Sequence, residues 1–107
     1  MRRIAPGIVD SYVIFRSNRL WAPRYWEYPW AILNTEPHKG MRVLDIGSGW
    51  SLFPIQLARL GSLVVAIDTE AYQMTTVSPS LARLTSAQVC YKVGDAVHLD
   101  FRDDTFD

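Results

Sequence analysis

Apolar residues along this chain gather into three short runs, at residues 43–46, 62–68 and 87–95. Each run has the length of a strand, is rich in β-branched residues and ends at Asp or Gly. Within a run the apolar positions are continuous rather than alternating with polar ones, which is typical of strands buried on both faces of a parallel sheet. The pattern therefore predicts three neighbouring parallel strands.

Helix-like segments separate these runs. The first begins at Ser51, has a proline in its first turn and ends at Gly61, all residue types that favour the start or the end of a helix. The second, residues 70–86, is interrupted at Pro79, which predicts either a kink or a second helix start capped by Ser78. Strands that alternate with helices predict right-handed crossovers and an α/β fold with a parallel sheet.

The first 39 residues differ in character from the rest of the chain. They are rich in arginine and aromatic residues, and a turn at residues 37–40 separates them from the strand-forming part. We therefore divide the chain into a lead-in segment, residues 1–39, and a sheet-forming part, residues 40–107. Residues 26–34 are predicted to form a short helix that leads into the first strand, with Pro29 as its starting residue.

An aromatic cluster in the lead-in segment has three interpretations. We favour packing against the sheet, because aromatic side chains dominate core burial. A lid over a ligand pocket comes second. Stacking on single-stranded nucleic acid comes third, since the chain carries no net positive charge. The cluster comprises Trp21, Tyr25, Trp26, Tyr28 and Trp30, together with Arg19 and Arg24.

Composition narrows the class of protein. Eleven basic and eleven acidic side chains give a formal net charge of zero, so the overall charge does not favour nucleic acid or an anionic membrane as partner. The single cysteine, Cys90, excludes an intramolecular disulfide. No run approaches the length of a membrane helix, about 20 apolar residues. Pro6, Gly7 and Asp10 interrupt the apolar start, unlike a secretory signal. We expect a soluble, cytoplasmic protein.

A glycine loop, with Gly47 and Gly49, lies between the first predicted strand and the first predicted helix. Without side chains there, the backbone can turn sharply and approach a ligand closely. Asp68 ends the second run about 20 residues beyond the loop, where nucleotide-binding α/β folds place a carboxylate for ribose hydroxyls. Asp95 ends the third run, and Asp45 lies in the first. Together these positions predict a nucleoside-binding edge, the alternative being turn formation and capping by Asp.

Asp45 decides which nucleoside ligand fits beside the loop. A dinucleotide rests its pyrophosphate on the following helix start. A carboxylate about 4 Å away repels such an anion by roughly 4 kcal/mol per charge pair at an effective dielectric of about 20. A ligand with an ammonium and a sulfonium group is attracted instead. The third glycine of the dinucleotide pattern would fall at Leu52 and is absent.

The stretch from Asp45 to Ser51, DIGSGWS, resembles the first motif of the class I S-adenosylmethionine-dependent methyltransferases, an acidic residue followed by alternating glycines. Serine replaces the last glycine, at a position where a helix begins and serine is a good cap. The closing stretch, GDAVHLDFRDDTFD, is similar to the family's segment before its fourth strand. The resemblance covers residues 40–107. It implies a partial Rossmann-like parallel sheet, with strands one to three ordered 3-2-1, that binds S-adenosyl-L-methionine.

The resemblance also implies which residues hold this cofactor. The residues in and beside the glycine loop would hold the methionine end, the aspartate that ends the second strand would bind the ribose hydroxyls, and the pair after the third strand would face the adenine. The implied cofactor-binding set is Asp45, Gly47, Ser48, Gly49, Asp68, Thr69, Asp95 and Ala96.

The resemblance further predicts an incomplete fold. In the family a fourth strand pairs with the outer side of strand one, and the acceptor pocket draws heavily on the part of the fold beyond that strand. This sequence stops at Asp107, where the fourth strand would start. Strand one is then predicted to be an edge with unpaired backbone groups, which favours self-association or a covering partner. Either the chain is a fragment of a longer protein, or a partner or the lead-in segment covers this edge, and a self-sufficient enzyme is not expected.

Three functions remain after this reasoning. We favour S-adenosylmethionine-dependent methyl transfer to a small-molecule acceptor. The second is a non-catalytic nucleoside-binding or interaction module, a truncated relic, and the third is an NAD-dependent oxidoreductase. No residue is assigned as catalytic. His38 and His98 are expected to be solvated or hydrogen-bonded, and the acidic turn of Asp100, Asp103 and Asp104 is expected to be solvated rather than to bind a metal.

Overall fold

The computed structural model of the chain describes residues 24–107. In chain order its elements are α1 (Arg24–Thr35), β1 (Arg42–Ile46), α2 (Phe53–Arg59), β2 (Leu63–Asp68), a π-helical turn (Gln73–Val77), α3 (Ser78–Leu84) and β3 (Val89–Val93). The strands form one parallel sheet in the order β1-β2-β3, with β2 in the middle. Read from the other edge this is the order 3-2-1, so the predicted parallel α/β sheet is confirmed. Within the described residues, no helix is long and apolar enough to cross a bilayer.

The strand register separates the sheet residues into two faces. Asp45, Ala66 and Tyr91 are register partners on β1, β2 and β3. They lie side by side on one face, because side chains alternate along a strand. Right-handed crossovers that progress in one direction place both connecting helices on one face of the sheet. We call the face of these three residues the helix face, and Ala66 at its centre is completely buried, with 0% exposure.

The C-terminal end of α2 matches the sequence pattern, whereas its N-cap lies one residue beyond the predicted Ser51. Ser51 lies just outside the N-cap residue, Leu52, and its Oγ accepts a hydrogen bond from the Phe53 N–H at 3.0 Å. Pro54 lies in the first turn, where its missing N–H leaves no bond unmade. Gly61 ends the helix with φ of 96°, and the N–H groups of Gly61 and the next residue bond back to carbonyls of the last turn. This is the Schellman arrangement that glycine favours.

The interruption at Pro79 is a π-turn within a continuous helix and not a second helix start capped by Ser78, so that alternative is wrong. Residues 71–84 are continuously helical, and within them the Ser78 N–H donates to the Gln73 carbonyl across a π-turn. The wide turn places Pro79, which has no N–H to donate, in the first turn of α3. Ser78 does not cap α3, because it is buried and its Oγ accepts a 2.7 Å hydrogen bond from Gln73 Nε2.

α1 differs from the helix predicted over residues 26–34. It is already helical at Arg24 and continues through Pro29, which lies inside the helix rather than at its start. Contacts with α2 stabilise α1 despite this proline. The Tyr28 ring stacks on Phe53 with 4.6 Å between ring centroids, and the Tyr28 hydroxyl lies 2.6 Å from Ser51 Oγ. Tertiary packing of this kind overrides local helix preference.

The aromatic cluster of the lead-in segment divides in the structure. Tyr28 packs against α2, where its ring stacks on Phe53. Trp30 is 59% exposed, so it belongs to no core. The other members lie outside the described residues or side chains: Arg19, Trp21, Arg24, Tyr25 and Trp26.

Residues 95–107, here called the strap, follow β3 and cross the second face of the sheet. Lys92 on that face lies with its Nζ 5.5 Å from the centre of the Phe101 ring, and Phe101 meets Phe106 edge to face at 5.0 Å. The strap ends beside β1, where the Asp107 N–H donates to the Arg42 carbonyl at 2.8 Å. Its Oδ1 forms an ion pair with Arg42 Nη2, also at 2.8 Å. The strap therefore connects the two edge strands.

Candidate functional site

The glycine loop is folded onto the end of β2. The N–H groups of Gly47 and Ser48 both donate to the Ile67 carbonyl, at 2.9 and 3.1 Å. Gly47 and Gly49 have φ of 69° and 48°, in the left-handed region where other residues are strained. No atom lies within 4 Å of where a Gly47 Cβ would be. The loop thus presents an open backbone surface that a ligand can approach closely, as its two glycines predicted.

Asp68 ends β2 as predicted and binds the glycine loop directly. Its Oδ2 accepts a hydrogen bond from the Gly49 N–H at 2.8 Å, and its Oδ1 accepts one from the Glu70 N–H at 3.0 Å. Two N–H donors hold the carboxylate in a fixed orientation. Each carboxylate oxygen has two lone pairs, so both oxygens keep the capacity to accept from ribose hydroxyls.

Asp45 lies on β1, one residue before its end, and is partly buried on the helix face. Asp68 is on the same face, two residues beyond Ala66, the register partner of Asp45. The two carboxylates therefore approach the glycine loop from the same side of the sheet. A carboxylate on this side of the sheet favours a cationic ligand group over a phosphate.

Tyr91 on β3 shares a row of the sheet with Asp45, a placement that the sequence reasoning missed. Burial, together with the negative charge of Asp45, raises the pKa of Tyr91 to about 12. The two residues share a row of the sheet with only Ala66 between them. Side-chain alternation along each strand allows Asp45 and Tyr91 to lie on the same face of the sheet, but only the strand register brings them into one row.

The third acidic position is less closely connected to the loop. β3 ends at Val93, so Asp95 lies in the following turn rather than at the strand end. Its Oδ1 accepts from the Val97 N–H at 3.0 Å, and its carbonyl accepts from the His98 N–H at 3.0 Å. Ala96 and Thr69 are exposed. These three residues stand at the carboxyl ends of β2 and β3, on the same sheet edge as the loop.

Two exposed apolar side chains stand beside the glycine loop and its carboxylates. Trp50, within the loop, is 66% exposed, and Ile46, which ends β1, is 46% exposed. A cavity of about 690 Å³ lies at the amino ends of the strands, with Arg42, Leu63 and Val89 in its lining, and one of about 150 Å³ lies at the carboxyl ends of β2 and β3, beside Asp95. Ligands of open α/β sheets bind at the carboxyl ends, so the glycine-loop edge, and not the larger cavity, is the candidate site.

The two histidines lie at opposite ends of the sheet. His98 lies with Asp95 in the turn after β3, and His38 precedes β1 at its amino end, where its Nδ1 lies 3.4 Å from the Glu36 carbonyl. Over residues 24–107, no group of three or more His, Cys, Asp or Glu side chains is placed to hold a metal ion.

Comparisons with known proteins identify a family. The family described as "Methyltransferase domain" matches residues 44–107. A demethylmenaquinone methyltransferase of Thermobifida fusca (strain YX) is 29% identical over 102 residues, which cover 94% of this chain and 43% of that protein. The crystal structure of the YcgJ protein from Bacillus subtilis superposes with a TM-score of 0.69 at 28% identity, over 75% of this chain and 34% of that one.

The chain spans less than half the length of either relative. The family match begins within β1 and includes the glycine loop, β2, β3 and the strap. It therefore covers every residue of the predicted cofactor-binding set. The chain belongs to the methyltransferase domain family and has the partial Rossmann-like fold of the class I S-adenosylmethionine-dependent methyltransferases.

Proposed function

We propose that this chain is the S-adenosyl-L-methionine-binding part of a methyltransferase. The observation that carries the proposal is the pairing of an open glycine loop with two carboxylates on one side of the sheet. The space beyond Gly47 is free within 4 Å of a Cβ position, and Asp68 holds the loop through the Gly49 N–H. The chemistry of these groups suits a nucleoside with a cationic end.

Each residue of the proposed site would contact a different part of the cofactor. Asp45 would attract the ammonium of the cofactor, the backbone from Gly47 to Gly49 would lie against its methionine end, and Asp68 would accept from the ribose hydroxyls. Asp95 and Ala96 would face the adenine. When bound, S-adenosyl-L-methionine supplies a methyl group activated by a sulfonium. The chain contributes orientation and exclusion of water.

We propose a small molecule as the methyl acceptor. The Thermobifida fusca relative is named for a small-molecule acceptor, demethylmenaquinone. The exposed apolar side chains of Ile46 and Trp50 beside the loop suit an apolar acceptor. No described residue is assigned as a general base.

Isothermal titration of the chain with S-adenosylhomocysteine tests the proposal. We expect saturable binding of S-adenosylhomocysteine and none of NADH, because a carboxylate beside the loop repels the pyrophosphate. Tight NADH binding without S-adenosylhomocysteine binding would support an oxidoreductase. If a folded chain binds neither ligand, the proposed site is wrong.

A further inference from the structure

We propose that Tyr91 is a positioning residue for cofactor binding: its hydroxyl, through one buried water molecule, holds the Asp45 carboxylate in place for the ammonium end of the ligand. This inference rests on the proposed function, because it assigns to Tyr91 a part in the same site. Nothing in the methyltransferase motif of the glycine loop requires a tyrosine on β3.

The sheet register brings the two residues together. Asp45, Ala66 and Tyr91 are direct partners across β1, β2 and β3. Ala66 on the central strand is completely buried and carries only a methyl group. Neighbouring strands lie about 4.8 Å apart, so the long phenol side chain can extend across β2 toward Asp45. A larger residue than alanine on β2 would block this approach.

The Tyr91 hydroxyl requires a partner that the described side chains and backbone do not supply. Its oxygen is buried and has no hydrogen-bond partner among residues 24–107. Buried hydroxyls in folded proteins are nearly always hydrogen-bonded, often to an ordered water with two to four polar partners. A carboxylate can accept about four hydrogen bonds, so Asp45 can receive one from such a water whatever else it contacts.

Electrostatics agree with this arrangement. Burial is the larger cause of the raised pKa of Tyr91, and the negative charge of Asp45 adds to it, in line with the position of the two residues in one row of the sheet. The phenol therefore keeps its proton at neutral pH and acts as a donor. A donor directed at a carboxylate stabilises the ionised form and limits its side-chain motion, and both effects favour binding of an ammonium group.

The test compares two ligands that differ only at the end held by Asp45. S-adenosylhomocysteine has the amino-acid end, whereas 5′-methylthioadenosine lacks it. For Tyr91→Phe, which keeps the ring and removes the hydroxyl, we expect the Kd for S-adenosylhomocysteine to rise roughly 3- to 10-fold, as for loss of one hydrogen bond. The Kd for 5′-methylthioadenosine should stay within about twofold. Tyr72→Phe is the matched control, because Tyr72 is 70% exposed, and neither Kd should change.

A double-mutant cycle gives a second measurement on the same chain. If Tyr91 acts through Asp45, Tyr91→Phe should have no further effect on S-adenosylhomocysteine binding when it is added to Asp45→Asn. Equal weakening of both ligands would mean that Tyr91 only packs the sheet, and an unchanged Kd for S-adenosylhomocysteine would also overturn the inference. Failure of the unaltered chain to bind S-adenosylhomocysteine would instead overturn the proposed function.

Discussion

Alanine substitutions at Gly47 and Gly40 can separate the effect of backbone strain on stability from the effect of lost ligand contact on affinity. Both have positive φ, 69° and 84°, and neither has an atom within 4 Å of its Cβ position. Alanine at either position should cost about 1–2 kcal/mol, because a left-handed backbone with a side chain is strained by that amount. Only Gly47→Ala places a methyl group on the open side of the glycine loop.

We therefore expect equal losses of stability in urea unfolding but unequal losses of affinity. Gly47→Ala should weaken S-adenosylhomocysteine binding strongly, measured by isothermal titration, and Gly47→Val should abolish it. Gly40→Ala should bind normally once its folded fraction is taken into account. Equal affinities for the two alanine variants would place the ligand away from the loop.

The charge of Asp45 determines which ligand charge the proposed site favours. Asp45→Lys replaces attraction for the ligand's ammonium by repulsion, each worth roughly 4 kcal/mol for unit charges about 4 Å apart at an effective dielectric of about 20. We expect no detectable S-adenosylhomocysteine binding in titration calorimetry. Asp103→Lys makes the same charge change in the exposed turn of the strap and should bind normally. A folded Asp45→Lys chain with normal affinity would show that the site is misplaced.

At the scale of elements, the strap is held to β1 by backbone hydrogen bonds and an ion pair between Arg42 and Asp107, and the ion pair has a measurable effect on a pKa. Hydrogen bonds from the Arg42 side chain and backbone lower the pKa of Asp107 to about 2. An aspartate whose pKa is lowered by folding stabilises the folded state above its unfolded value, about 3.9, and this contribution disappears as the pH falls toward 2. The strap contact should therefore weaken between about pH 4 and 2.

NMR titration of the Asp107 side-chain carboxyl can check this prediction. We expect a pKa near 2 in the unaltered chain and, in Arg42→Gln, a return toward the ordinary aspartate value, because the donating guanidinium is gone. Arg83→Gln removes an arginine whose Nη2 bonds only locally, to Ser80 Oγ, and should leave the Asp107 pKa unchanged. An ordinary pKa in the unaltered chain would mean that the strap does not dock on β1 in solution.

At the scale of the whole molecule, the outer edge of β1 is the feature most open to association. Two residues of this segment bond toward β2: the Met41 carbonyl accepts from the Leu63 N–H, and the Gly47 N–H donates to the Ile67 carbonyl. Backbone groups alternate in direction along a parallel strand, so those of Leu44 and Ile46 point away from β2. The strap bonds this edge at Arg42. The remaining edge favours pairing with a second copy.

We propose self-association through this edge, measured by light scattering on a sizing column. Ile46→Lys places a charge on the edge strand and should shift the chain toward monomer. Leu63→Lys makes the same change on the central strand, at a residue that is 62% exposed, and should not. If both variants dissociate equally, a general apolar surface rather than edge pairing holds the copies together. A strictly monomeric unaltered chain would contradict the proposal.

Local sequence determined much of this protein. Continuous apolar runs predicted three parallel strands, and residue types with strong backbone preferences predicted the end of α2 at Gly61 and its start at Ser51, one residue before the N-cap. The glycine loop and the carboxylate of Asp68 could also be placed from the sequence, because strand, loop and helix follow one another directly. These features depend on neighbours within a few residues, or on a chain direction that parallel strands share.

Only the tertiary structure decided how these parts meet. Three of these meetings join residues that are 19 to 65 positions apart in the chain. They are the Asp68 contact with the Gly49 N–H, the row of Asp45 and Tyr91, and the Arg42–Asp107 pair. The π-turn before Pro79 likewise depends on a buried Gln73–Ser78 hydrogen bond. Such contacts follow from strand register and side-chain packing, which the sequence pattern of one segment does not contain.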